Sequence, residues 1–294
     1  MKNLPLPGTE PLLVWVRTAD VAAALPQAES WLGAAERDKA RRFVFDGDRA
    51  DFLASRFLLR RVLAELAHTA PERLAFETNR WGKPALCGRP ELTFNLAHCR
   101  GAAVLLAGGG APAGVDIEAV VPGRADPLVA QGLFHRAEQI QLLASPRCGY
   151  DRLFLRFWTL KEAVLKAEGS GLALPLDAFA ALFDADAIVP LTVPASLAGR
   201  PFAFGQAELA PDLVCAWARV TGDRQSPTTW QLQATGAVLP APQVRLGAGS
   251  YRPRAFASRS ETVGKRCPKV HVEALPQLID NLPPTLRENG CLSM

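Results

Sequence analysis

Gly114-Val115-Asp116-Ile117-Glu118 and, some forty residues on, Trp158-Thr159-Leu160-Lys161-Glu162-Ala163-Val164-Leu165-Lys166 decide how this chain reads. The first stretch is a short strand leaving a glycine-rich turn, Gly108-Gly109-Gly110. Side chains two apart on a strand share a face, so Asp116 and Glu118 point the same way. The second stretch is a helix with Phe157, Leu160, Val164 and Ala167 on one side. Glu162 and Lys166 lie one turn apart on another side. Packing strand on helix brings three carboxylates to one point with an ammonium beside them. Three oxygen donors, with no imidazole or thiolate, suit a hard cation such as Mg²⁺, which also takes phosphate oxygens from a substrate. The chemistry implied is metal-assisted phosphoryl transfer.

Each segment alone has a simpler reading. Asp-x-Glu is common on a solvated strand edge, and Glu162 with Lys166 alone is an ordinary helix pair contributing roughly 0.2–0.5 kcal/mol. The two together, in this residue context, are far more specific.

A chain of 294 residues, 49% hydrophobic and 21% charged, has the composition of a soluble globular protein large enough for a sizeable core. Its six cysteines form no Cys-x-x-Cys pair, which argues against a zinc knuckle, a redox dithiol or a dense disulfide frame. No apolar run of signal-peptide or bilayer-spanning length is present. These features predict a cytoplasmic protein with reduced thiols and no membrane association. The formal charge of +4 resides in the segment from Ala234 onward, which holds eight Lys/Arg against four acids; the remainder is balanced. A nucleic-acid reading would rest on that segment alone and is set aside.

Leu12–Val16 reads as a strand and Asp48–Ala67 as a helix whose core face is Phe52, Leu59, Leu63 and Leu66. Arg49, Arg56 and Arg60 fall on a neighbouring arc, either as a snorkelling rim or as the wall of an anion pocket. Leu92–Ala97 and Ala102–Ala107 read as a hairpin. A helical stretch follows around Leu133–Ala144. The Lys-Glu helix stops at Gly169 and Gly171, and strands are predicted at Ala178–Phe183, Ala187–Val193 and Leu213–Val220. The order predicts two α+β halves, 1–110 and 111–233, meeting near Gly108–Pro112. Seven prolines, five glycines and few aromatics then predict a poorly ordered extension over 234–294.

The paired segments resemble the signature of the 4′-phosphopantetheinyl transferases. That signature is (Val/Ile)-Gly-(Val/Ile)-Asp-x-Glu followed by (Phe/Trp)-(Ser/Thr/Cys)-x-Lys-Glu-(Ala/Ser)-x-x-Lys. Only Ala113, at the opening position, departs from it. Other landmarks sit in order: Glu36–Phe43, Ala54–Arg60, Trp81-Gly82-Lys83-Pro84 and Phe94-Asn95-Leu96-Ala97-His98. The resemblance covers roughly Leu12 to Gln231 and is to the longer, surfactin-type branch. It implies two similar α+β halves with coenzyme A in the cleft between them, acting as a monomer. It implies transfer of the phosphopantetheine arm to a serine of an apo acyl or peptidyl carrier protein, releasing adenosine 3′,5′-bisphosphate.

By that resemblance Asp116, Glu118 and Glu162 hold Mg²⁺, and Glu162 is the leading base with Glu138 the second candidate. Lys166 balances charge on the leaving bisphosphate. Coenzyme A falls to Arg56, Trp81, Gly82, Lys83, Pro84, Ala97, His98 and Lys161, with Ala97 standing where the family usually has Ser. Two other functions share these features: a non-catalytic module that binds carrier or coenzyme A, and a Mg²⁺-dependent hydrolase that removes the arm. Binding alone does not need the full set of carboxylates with Lys166, and only product analysis separates transfer from hydrolysis.

Overall fold

A computed structural model describes residues 11–169, 174–184, 187–222, 227–232, 238–240 and 244–251. The first half contains β1 (Leu12–Arg17), α1 (Leu25–Trp31), α2 (Ala34–Arg41), α3 (Asp46–Ala67), β2 (Phe76–Thr78), β3 (Pro84–Leu86), β4 (Phe94–Cys99) and β5 (Ala102–Ala107). The second contains β6 (Ala113–Ala119), α4 (Pro127–Leu133), α5 (Arg136–Leu143), α6 (Arg147–Glu168), β7 (Ala180–Asp184), β8 (Ala187–Thr192), β9 (Phe202–Ala210) and β10 (Leu213–Arg219). Three further strands follow: β11 (Thr228–Leu232), β12 (Val238–Pro240) and β13 (Val244–Tyr251).

Two sheets result, ordered β12-β11-β1-β5-β4 and β6-β10-β9-β13-β8-β7, beside a small β2-β3 hairpin. Each sheet carries one 22-residue helix, α3 on the first and α6 on the second. Alternation along the strands builds the layers. Leu12, Val14 and Val16 of β1, with Ala103 and Leu105 of β5, face α3. The intervening Leu13, Trp15, Val104 and Leu106 instead meet Val115 and Ile117 of β6 and Cys215 and Trp217 of β10. Ala216 and Ala218 of β10 turn the other way, into the cluster around α6. The order is therefore helix, sheet, sheet, helix, with the central strands buried on both faces, as their apolar runs require. The expected pair of similar α+β halves is what the chain forms.

Two features of the expected organisation change. Residues 228–232, assigned by sequence to the second half, pair parallel to β1 in the first sheet. The extension from Ala234 is not wholly unstructured: β12 pairs with β11, and β13 lies between β9 and β8. Strand pairing is satisfied by partners distant in sequence, so composition alone does not reveal it. Gly249 allows the close fit of β13, since a β-carbon there would lie 2.3 Å from Ile188 O. The rest of the extension, 252–294, lies outside the described residues.

A chain ending at Leu232 would leave the β7–β8 hairpin without a partner strand. Limited proteolysis of that truncation is expected to cut within residues 174–192, where the full chain resists. Equal resistance would show that β13 is dispensable. No helix among the described residues is long and apolar enough to cross a membrane.

Candidate active site

Gly114 sets the site. A β-carbon there would lie 2.0 Å from Ala163 O and 2.3 Å from Ala167 N, so β6 rests directly on the backbone of α6. Asp116 and Glu118 share the face of β6 that carries Gly114, and Glu162 and Lys166 flank the contact on α6. Of the four residues that the sequence assigns to one point, Lys166 is brought against Asp116 and near Glu162, with Glu118 two residues along β6. Lys166 Nζ lies 2.6 Å from Asp116 Oδ1 and 3.9 Å from Glu162 Oε2.

Burial pushes the Asp116 carboxyl up to about 7, with Glu118 and Glu162 adding to the rise and Lys166 opposing it. Glu118 is also raised, by burial first and by Glu162, against Lys166 and Arg124. The three carboxylates thus disfavour one another's charge, and the Lys166 ammonium opposes the rise at Asp116 and Glu118. Among the described residues no three Asp, Glu, His or Cys side chains stand close enough to hold a metal ion by themselves. The donor chemistry nevertheless fits a hard cation. Asp116 Oδ2 is buried and has no hydrogen-bond partner, an acceptor left for something absent from the protein itself.

The first half supplies cations. Arg56 lies 3.5 Å from Glu36 and 5.1 Å from the centre of the Phe52 ring, and Lys39 lies 5.4 Å from the same ring. Burial lowers the His98 imidazole, and the positive charges of Arg56, Lys39 and Lys166 lower it further, against Asp51. His98 thus lies within electrostatic reach of Arg56 and Lys39 in the first half and of Lys166 in the second. The neighbouring arginines serve otherwise. Arg60, 3% exposed, donates to Pro71 O and Leu74 O and pairs with Glu36, and Arg49 pairs with Glu29. Of the two readings of this arc, Arg60 is structural, and Arg56 lies beside Glu36 and the Phe52 ring within electrostatic reach of His98. Sequence gave no role to Glu36, which holds both Arg56 and Arg60.

Other assigned residues are placed differently. Lys161 does not reach a coenzyme A site. It is 1% exposed, 2.7 Å from the equally buried Glu138, and donates to Leu176 O and Phe179 O. Glu138 in turn accepts from Ala181 N and His135 N, so every part of its carboxylate is engaged and it is not a second base. The Lys83 ammonium donates to Ala113 O and Lys166 O at 2.8 and 2.6 Å. Gly82 takes φ +83° in the turn that Asn79 organises, and Pro84 opens β3. Trp81, 48% exposed, lies 4.9 Å from the Arg80 guanidinium.

Ala97 lies in the apolar layer between the sheets rather than in the cleft. Ala97→Ser is therefore expected to cost about 1 kcal/mol of stability, as burying a hydroxyl does. It should leave KM for coenzyme A within about twofold. A large fall in KM would show that the hydroxyl reaches ligand.

Comparison with known proteins accords with this geometry. Residues 112–218 match the 4′-phosphopantetheinyl transferase superfamily, and residues 20–110 match the family described as 4′-phosphopantetheinyl transferase, N-terminal. The chain is 32% identical over 167 residues to 4′-phosphopantetheinyl transferase Sfp of Bacillus subtilis, spanning 57% of this chain and 73% of that protein. It is 31% identical over 232 residues to 4′-phosphopantetheinyl transferase HetI of a Nostoc species, spanning 78% of this chain and 94% of that one. Over 132 residues it is 37% identical to the L-aminoadipate-semialdehyde dehydrogenase-phosphopantetheinyl transferase of Eremothecium gossypii, spanning 42% and 47% of the two chains.

Proposed function

Because this chain belongs to the 4′-phosphopantetheinyl transferase superfamily, we propose that it moves the 4′-phosphopantetheine arm of coenzyme A onto a serine of an apo acyl or peptidyl carrier protein. The observation that supports the reading is the Gly114 contact of β6 with α6, which sets Lys166 against Asp116 and near Glu162.

Coenzyme A bears a 3′-phosphate and a pyrophosphate, so its pocket needs cations from separate segments. Arg56 and His98 meet the nucleotide end, beside the loop from Trp81 to Pro84. Asp116, Glu118 and Glu162 would hold Mg²⁺, which would supply neutralisation of the pyrophosphate charge. The carrier serine oxygen forms a bond to the phosphorus bearing the pantetheine arm. The bond from that phosphorus to the bridging oxygen breaks, and adenosine 3′,5′-bisphosphate leaves. The serine proton passes to Glu162, whose side chain is 19% exposed. Lys166 balances charge on the departing bisphosphate. The enzyme works as a monomer, since both halves of the cleft belong to one chain.

Incubation with coenzyme A, Mg²⁺ and a panel of apo carriers, followed by mass measurement of each carrier, tests the reading. One carrier should gain a single arm. Unchanged apo carriers alongside loss of the arm from holo carriers would instead indicate the hydrolase.

A further inference from the structure

The strand that carries Asp116 and Glu118 lies at the edge of its sheet, and among the described residues no other strand pairs with its outer side. Side chains of the first half take its edge groups instead. Asn95 Oδ1 accepts Val115 N–H at 2.8 Å, and the residue is 6% exposed. Lys83 takes Ala113 O with one N–H and Lys166 O with another, bridging strand and helix. Asn79 Nδ2 donates to Gly169 O at 3.3 Å, just past the end of α6. These bonds bracket Gly114, and thus hold the junction on which the carboxylates and Lys166 are mounted. Asn95 shares β4 with His98, three residues on, so one short strand bears both an anion-cleft group and the grip on β6.

We propose that Asn95 and Lys83 are positioning residues, a clasp by which the first half fixes the distance between its own anion-binding groups and the carboxylate–lysine site of the second. The inference rests on the transferase reading above and deepens it. A ligand that spans both halves is anchored by one and acted on by the other. An error in their spacing therefore falls on the reacting geometry more than on binding. Misplacement by about 1 Å can cost roughly a hundredfold in rate. The clasp also explains why Lys83, with two of its three N–H groups committed to backbone carbonyls, sits where the family resemblance implies a nucleotide contact.

The test compares Asn95→Leu, which removes the acceptor at similar volume, with Asn95→Asp, which keeps an oxygen to accept from Val115. Lys83→Met serves as a second, independent variant should Asn95→Leu fail to fold. Three quantities are read: turnover per folded molecule, KM for coenzyme A, and exchange of the Val115 amide proton with solvent. Asn95→Leu and Lys83→Met should lower turnover about tenfold to a hundredfold with KM changed less than about threefold. Asn95→Leu should also speed Val115 exchange. Asn95→Asp should restore both turnover and protection to near wild-type values. Lowered melting temperature with unchanged turnover per folded molecule would make the pair scaffold only and overturn the proposal. A rise in KM alone would overturn it too, making the residues ligand contacts. If the wild-type protein transfers no arm, the transferase reading fails. The clasp then stands or falls on whether Val115 exchange follows the Asn95 substitutions.

Discussion

Asp116→Asn is expected to reduce transfer by about a thousandfold or more while leaving the metal-free protein no less stable at pH 8. The activity loss follows from removing one charged donor where pyrophosphate charge must be neutralised. A few kcal/mol of lost stabilisation is already several factors of ten in rate, at about 1.4 kcal/mol per tenfold. The stability effect follows from its proton affinity. Burial raises the folded Asp116 carboxyl to about 7, against 3.8 for a free aspartate. Between those values the folded state holds a proton that the unfolded chain has released. Stability of the metal-free wild type therefore falls as pH rises through this window, and the cost is complete above about pH 7. Asparagine carries no such cost, though Lys166 loses a partner and keeps Glu162. The net advantage of the variant should be of order 1–3 kcal/mol at pH 8 and absent at pH 4, read from melting temperatures. Mg²⁺ should raise the melting temperature of wild type and not of the variant. Full transfer by Asp116→Asn would remove Asp116 from the site.

Gly114→Ala should be nearly as damaging, through packing rather than charge. The added methyl would meet a carbonyl oxygen at 2.0 Å and an amide nitrogen at 2.3 Å, both backbone and neither able to swing aside. Ordinary overpacking costs about 1–3 kcal/mol, and a backbone-to-backbone clash belongs at or above the top of that range. Relief requires β6 to lift from α6, which separates Asp116 and Glu118 from Glu162 and Lys166. Any folded Gly114→Ala protein should thus melt lower and transfer at least about a hundredfold more slowly. A variant with wild-type melting and turnover would show that the strand–helix contact does not set the site.

Much of this site was legible in the residues because it depends on short-range periodicity. Asp116 and Glu118 share a face by strand alternation. Glu162 and Lys166 share one by helix geometry, and α3 matches its predicted helix to within two residues at its start. The glycine in the strand was visible, but its reason, contact with α6, needs the third dimension. Lys161 shows the limit more sharply. It neighbours Glu162 in sequence, yet about 100° of helix rotation turns it into a buried pair with Glu138. Arg56 and Arg60 differ for another reason: they share a face, but one turn along the helix only Arg60 meets the carbonyls of Pro71 and Leu74. Strands β11 and β13 escaped the sequence reading because their partners β1, β9 and β8 lie far along the chain. Asn95 was visible inside a motif, but a side chain that accepts from another sheet's edge leaves no periodic signal.

The β6–α6 junction is expected to perform the transfer rather than merely grip coenzyme A. Glu162→Gln and Lys166→Ala test it most directly, with calorimetric binding of coenzyme A set beside single-turnover transfer at saturating coenzyme A. Both variants should bind coenzyme A within about threefold to fivefold of wild type and transfer at least about thirtyfold more slowly, because the lost proton acceptor and cation matter as charge develops. Weakened binding with unchanged saturated turnover would make these residues binding contacts and contradict the account.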